Sequence, residues 1–121
     1  MTSIGDFRSI EEYRQWLRMS RLFSKYPIED IRRNGLERLP RLRQQLRGPY
    51  YTRLVDDWEH ALLDPDPTRL RAIALDTTSY GINMRQNTPF SGLLSPEDNL
   101  RIIRESRNEQ RAVLSSASRV I

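Results

Sequence analysis

Apolar residues recur along most of the chain with the three- and four-residue spacing of amphipathic α-helices. Residues 51–62 show it most clearly, with acidic side chains on the opposite face. No segment alternates apolar and polar residues as a strand does, and no hairpin signal joins two β-branched runs. The pattern predicts an all-α fold, a compact bundle of about five or six short-to-medium helices, the longest at the N-terminus and C-terminus.

Local capping signals mark where several helices begin. Ser9 and Glu12 form a capping box at the start of the first helix. Asp66 precedes Pro67, a pair typical of an N-cap followed by the first helical residue. Ser95, followed by proline and two acidic residues, predicts the start of the last helix.

Glycine and proline divide the region after the first helix. Gly35 is expected to end a short second helix at its C′ position. A third helix then follows from Leu36, with Pro40 in its first turn or at a kink, and Gly48 and Pro49 stop it.

The length of 121 residues predicts a single helical domain over residues 1–121, near the common domain size of roughly 100–150 residues. Residues 1–8 are expected to form an N-terminal tail. Residues 81–94 lack a clear period and are interpreted as a structured loop before the last helix.

The composition excludes several classes of protein. The chain has no cysteine, so disulfides and thiolate metal sites are ruled out. It has no apolar run near the roughly 20 residues that span a bilayer, and no signal-peptide pattern at its start. We therefore expect a cytoplasmic protein that does not contact membranes.

Positive charge is concentrated in the first half of the chain. Lys and Arg total 20, the net charge is +4, and Lys25 is the only lysine. Residues 13–53 carry 11 basic and 3 acidic side chains, whereas residues 54–100 carry 3 basic and 8 acidic ones. Arginine suits bidentate pairing with carboxylate or phosphate.

Seven basic residues of the first three predicted helices form a candidate surface for nucleic acid or an acidic partner. Such a surface can follow a phosphate backbone, and residues 27–47 superficially resemble a helix-turn-helix. The alternative is internal neutralisation, in which the acidic fourth and fifth helices pack beside the basic ones. The seven residues are Arg14, Arg18, Arg21, Lys25, Arg41, Arg43 and Arg47.

A second candidate surface combines apolar residues of the predicted loop with arginines of the last helix, whose apolar face is interrupted by Ser106 and Gln110. A partly apolar face suits a protein partner or a second copy of the chain. The alternative, which we favour for Phe90 and Leu93, is that the loop residues cover the protein's own core. The set comprises Phe90, Leu93, Leu94, Arg104, Arg107 and Arg111.

The usual catalytic arrangements are absent from the sequence. His60 is the only histidine, and there is neither a glycine-rich phosphate loop nor a nucleophile elbow. Asp56, His60 and Asp64 lie at i, i+4 and i+8, but this sparse set is interpreted as a solvated helix face. We expect no enzymatic activity, no metal and no cofactor.

These observations predict a non-enzymatic, small helical adaptor or regulatory protein that binds another macromolecule, with a protein partner as the first expectation. A small arginine-rich nucleic-acid-binding protein, a DNA-binding regulator, is the alternative. A homodimer is a third arrangement that the partly apolar last helix would allow.

Overall fold

A computed structural model describes residues 2–90 and 92–119 of the chain, with side chains up to residue 116. The described residues contain no strand, which confirms the all-α prediction. They form a 3₁₀ turn at Ile4–Asp6 and six α-helices. The helices are α1 (Ile10–Lys25), α2 (Ile28–Gln45), α3 (Pro49–Leu63), α4 (Pro67–Ala74), α5 (Ser79–Gln86) and α6 (Pro96–Arg119).

The predicted helix starts are confirmed at three caps. Ser9 Oγ accepts from the backbone N–H of Glu12, and Asp66 Oδ1 accepts from that of Thr68. Ser95 Oγ accepts from the backbone N–H of Asp98. The Glu12 carboxylate does not complete its capping box, because it pairs with the backbone N–H and the guanidinium of the preceding arginine, Arg8.

The predicted break at Gly35 is wrong, because α2 continues through both Gly35 and Pro40 for 18 residues. Ile31, Gly35 and Leu39 lie at helical spacing on one face of α2, and all three are buried. Burial of that continuous stripe offsets the cost of glycine and proline within the helix. The longest helices are therefore α6 and α2 rather than one at each terminus.

The predicted loop at residues 81–94 is wrong over residues 81–86, which belong to α5. Helix α4 ends at Ala74, and the chain turns before α5 begins. The turn is tight: a β-carbon on Gly81 would lie 1.9 Å from the carbonyl oxygen of Asp76. Helix α5 shows no clear amphipathic period because its buried residues, among them Ile82 and Met84, lie on more than one side of the helix.

The core is built around Trp58, which is fully buried on α3. Its indole Nε1 donates to the backbone oxygens of Met84 and Asn87, 3.2 and 3.1 Å away. These bonds fix the end of α5 to the centre of the bundle, and they satisfy the only polar atom of the ring.

The N-terminal segment, predicted as a tail over residues 1–8, packs against the helices at Ile4 and Phe7. The backbone N–H of Ile4 in the 3₁₀ turn donates to Glu109 of α6, and the ring of Phe7 contacts the rings of Tyr13 and Trp16. Among the described residues, no helix combines the length and the apolar character that crossing a membrane requires.

Candidate functional site

The basic stripe of α1 (Arg14, Arg18, Arg21 and Lys25) faces α6, which runs antiparallel to α1. Three of its four cations are bonded to that helix. Carboxylates of α6 therefore neutralise Arg21 and Lys25, whereas Arg14 pairs with Glu11 of its own helix; the acidic fourth and fifth predicted helices do not neutralise this stripe. The contacts are Lys25 Nζ to Asp98 Oδ2 (2.5 Å), Arg21 Nη2 to Glu105 Oε2 (2.8 Å) and Arg14 Nε to Ser106 Oγ (2.8 Å).

The Lys25–Asp98 pair is the closest ion pair between the two helices. The Asp98 side chain is 8% exposed, and Lys25 Nζ holds the pKa of its carboxyl below the usual range. The same hydrogen bond raises the pKa of Lys25. A charge held this way is occupied by an internal partner and is not available to a phosphate backbone.

Arg18 differs from the other three residues of the stripe. It is half-buried, and it makes no hydrogen bond or ion pair with a described residue. Its side chain lines a cleft between α1, α5 and the segment that leads into α6. It is therefore the member of the stripe with unused binding capacity.

The predicted basic surface continues only in part onto α2. Arg43 bonds to Asp56 and Glu59 of α3, at 2.8 and 3.4 Å, and the Asp56 hydrogen bond raises the pKa of Arg43. Arg41 and Arg47 are exposed. Because α2 has no turn at residue 35, the chain lacks the helix-turn-helix that residues 27–47 had suggested.

A different basic surface lies at the corner where α2 leads into α3. The rings of Tyr50 and Tyr51 lie 5.2 Å apart, and Tyr50 is 53% exposed. Sequence reasoning missed these tyrosines, although residues 38–55 contain five arginines and no acidic residue. We call this surface the α2–α3 corner; it comprises the exposed residues Arg41, Arg47, Tyr50, Tyr51 and Arg53.

The apolar loop residues are placed as the core-covering alternative expected. Phe90 is 8% exposed and makes edge-to-face contacts with Phe23 and Trp58, at centroid distances of 6.5 and 5.4 Å. Leu93 and Leu94 pack against the same core and line the cleft beside Arg18. Of these three loop residues, none is exposed enough to form a partner surface by itself.

The three arginines of the last helix that belong to the second candidate surface are all exposed. Arg104, Arg107 and Arg111 form no ion pair with a described residue. Glu105 bonds to Arg21 of α1, and Glu109 accepts a hydrogen bond from the Tyr13 hydroxyl. The outward surface of α6 therefore presents these three cations, while Glu105 and Glu109 bond to α1.

Helix α6 extends beyond the helix on which it packs. Ile102, Ser106 and Glu109 face α1 and its N-terminal turn, whereas every side chain from residue 110 to residue 116 is exposed. We call residues 110–116 the C-terminal extension. Val113 lies four residues after Glu109, so it continues the α1-facing stripe past the point where α1 begins, and it is 52% exposed.

The structure does not bring the predicted site residues together into one site. The loop residues lie in the core and the cleft, while the arginines of α6 lie on its outer surface. The described residues also hold no cluster of three or more histidine, cysteine or acidic side chains able to bind a metal, so Asp56, His60 and Asp64 remain separate. Comparison with protein-family models, curated proteins and solved structures finds no match to this chain.

Proposed function

We propose that the protein is a non-enzymatic helical adaptor that binds a protein partner through the C-terminal extension of α6. The observation that carries this proposal is the exposed continuation of a packed helix face. Ile102 and Ser106 are fully buried on that face, and Val113 is 52% exposed further along it. An exposed apolar side chain that continues a packed helix face beyond its own bundle suits a second protein surface.

The charges in the extension and in the turn just before it define the chemistry of the partner. Arg107 and Arg111 lie on the same side of α6, one turn apart, with no internal carboxylate paired to them. Leu114, 62% exposed, lies one turn beyond Arg111. Val113 lies on another side of the helix from Arg111, so a complementary partner surrounds the end of α6, with an apolar patch against Val113 and carboxylates against the arginines.

A truncation tests the proposal without disturbing the bundle. A stop codon after residue 109 removes only side chains that are exposed where they are described, so the melting temperature should remain within a few degrees of the full chain. Co-purification from the native host should then lose a stoichiometric partner. Loss of the fold on truncation, or retention of the partner, would contradict the proposal.

Charge reversal adds a matched comparison. The double variant Arg107→Glu/Arg111→Glu should weaken the partner complex by at least tenfold, because it places carboxylates opposite carboxylates. The control Arg41→Glu/Arg69→Glu makes the same change in net charge on exposed positions elsewhere and should leave the complex unchanged. Equal effects of the two double variants would show that net charge alone is being measured.

The α2–α3 corner favours nucleic-acid binding as a second candidate function. Exposed arginines there precede and follow two exposed tyrosines along the chain, and bases of a single strand stack on such rings while arginines follow the backbone. The carboxylates of Glu37 and Asp56 lie just outside the acid-free segment of residues 38–55. This differs from the surface expected from the sequence, since most of the α1 stripe is paired with α6.

Titration with a single-stranded and a duplex oligonucleotide at two salt concentrations tests this second function. Binding through the corner should fall as salt rises, and Arg47→Ala/Arg53→Ala should weaken it. Arg104→Ala/Arg107→Ala is the matched control on α6. No binding at low salt would exclude the nucleic-acid function.

A further inference from the structure

A cleft of about 400 Å³ lies between α1, α5 and the segment before α6. Its volume falls within the roughly 300–1,000 Å³ of small-molecule sites. Apolar side chains form much of its wall, among them Leu22, Phe90, Leu93 and Leu94. The same wall carries two arginines, Arg18 and Arg85, which distinguishes it from an apolar packing defect.

Arg85 is a buried cation without a carboxylate partner. It is 3% exposed, and its Nη1 donates to the backbone oxygens of Ala74 and Asp76 at the end of α4. Its Nε and Nη2 have no acceptor among the described residues. Burial lowers the pKa of Arg85, although arginine remains charged at neutral pH. An unpaired charge in this position is costly unless an anion compensates it.

The nearest carboxylates do not supply that compensation. Asp76 and Glu12 act on Arg85 only at a distance, with no ion pair to it. Glu12 bonds instead to the guanidinium of Arg8, at 2.8 Å. The wall of the cleft therefore carries a positive potential that low-dielectric surroundings strengthen.

Two further polar groups of α1 line the same cleft. Arg18 is half-buried and makes no hydrogen bond or ion pair with a described residue, so its guanidinium can take a bidentate acceptor. Gln15 Oε1 is buried without a donor among the described residues, and as an acceptor it can bond a donor group of a ligand but not its carboxylate. Gln15 and Arg18 are three residues apart, so they lie on the same side of α1.

We infer that this cleft binds a small organic carboxylate with an apolar body. The carboxylate lies at Arg18, above the buried charge of Arg85, and the apolar body lies against Phe90, Leu93 and Leu94. This site does not depend on the proposed partner function. Asn99 of α6 lines the cleft, whereas Val113 lies roughly 21 Å further along the same helix.

Three probes separate the contributions of charge and apolar surface. Octanoate has both, 1-octanol has the same chain without charge, and acetate has the charge without the chain. Titration followed by amide chemical shifts should give octanoate an affinity at least tenfold higher than either comparison probe. The shifted amides should lie in residues 15–22, 84–90 and 92–99.

Variants then assign the charge to its residue. Arg18→Gln should weaken octanoate at least fivefold and leave 1-octanol unchanged, while Arg104→Gln, an exposed control on α6, should change neither. Arg85→Met should also weaken octanoate, with folding monitored by its amide spectrum. Equal binding of octanoate and octanol, full binding by Arg18→Gln, or no binding of octanoate at millimolar concentration would overturn the inference.

Discussion

The ring of Phe90 lies so close to the backbone of Gly35 that a β-carbon at residue 35 would be 2.8 Å from Phe90 Cε1. The same β-carbon would be 2.8 Å from Leu62 Cδ2. Gly35 therefore permits α2 to approach both α3 and the segment after α5. Gly35, which the sequence predicted to end a helix, is a contact point in the core, and its partner Phe90 lies in the segment between α5 and α6, where core coverage was expected.

Substitution of Gly35 by alanine should destabilise the protein. Alanine gains about 1 kcal/mol of helix propensity over glycine, while overpacking a filled core typically costs about 1–3 kcal/mol. Since Leu62 and Phe90 both contact this position, we expect a net loss in the free energy of unfolding, measured in urea. The double variant Gly35→Ala/Phe90→Leu should lose less than the sum of the two single losses, because the two residues are in contact. A rise of about 1 kcal/mol in the free energy of unfolding of Gly35→Ala would show that the core has room for the added methyl group.

Substitution of Phe90 by alanine should lower the free energy of unfolding by about 3–5 kcal/mol, as for other buried aromatic residues. The ring is 8% exposed and contacts both Phe23 and Trp58. Leu63→Ala is the control, because Leu63 is 61% exposed and should change stability by no more than about 0.5 kcal/mol. Similarly small losses in the free energy of unfolding for both variants would contradict the placement of Phe90 in the core.

Substitution of Ser106 by alanine should cost about 1–3 kcal/mol, because it leaves the Arg14 Nε without its acceptor. Ser106 is fully buried, and its hydroxyl also donates to the backbone oxygen of Ile103. Ser115→Ala, at an exposed position of the same helix, is the matched control. If the hydrogen bond were unimportant, Ser106→Ala would gain stability from helix propensity, as the control should.

The Lys25–Asp98 pair should make stability depend on pH in the acid range. Because Lys25 lowers the pKa of Asp98 in the folded state, the pair stabilises the protein above the unfolded pKa of about 4. This contribution is lost as pH falls through the lower, folded pKa. Asp98→Asn should therefore reduce the urea midpoint most at pH 7 and converge on the wild type in strong acid.

Glu97→Gln provides the control for that experiment. Glu97 is an exposed carboxylate in the same first turn of α6, without an ion pair to a described residue. Its removal should change the difference between neutral and acid midpoints less than removal of Asp98 does. A constant effect of Asp98→Asn at every pH would contradict the role of the pair.

The features predicted correctly are those encoded locally. Ser9, Asp66 and Ser95 each cap a helix through a backbone group two or three residues away, so a short stretch of sequence contains the whole signal. Gly35 shows the limit of such signals. Its usual role as a helix end is overridden by burial against residues more than 25 positions away, which no local pattern records.

The candidate sites also divide into features that are encoded locally and features that depend on distant contacts. The α1 stripe was recognisable from its spacing, but its partners lie on α6, 73 to 92 positions along the chain. Arg85 was missed because it lies in a helix that is buried on several sides and has no clear period. The acid-free run of residues 38–55, by contrast, was a readable signal for the α2–α3 corner.

The central claim, that the C-terminal extension of α6 contacts a protein partner, is tested most directly by site-specific photo-crosslinking in the native host. A photoreactive residue at Val113 should give one discrete adduct, whereas the same residue at Leu63, equally apolar and 61% exposed, should give none. Adding Arg107→Glu/Arg111→Glu should abolish the adduct. An adduct of twice the chain mass would identify the partner as a second copy. Absence of any discrete adduct from residue 113, or equal adducts from both positions, would contradict the claim.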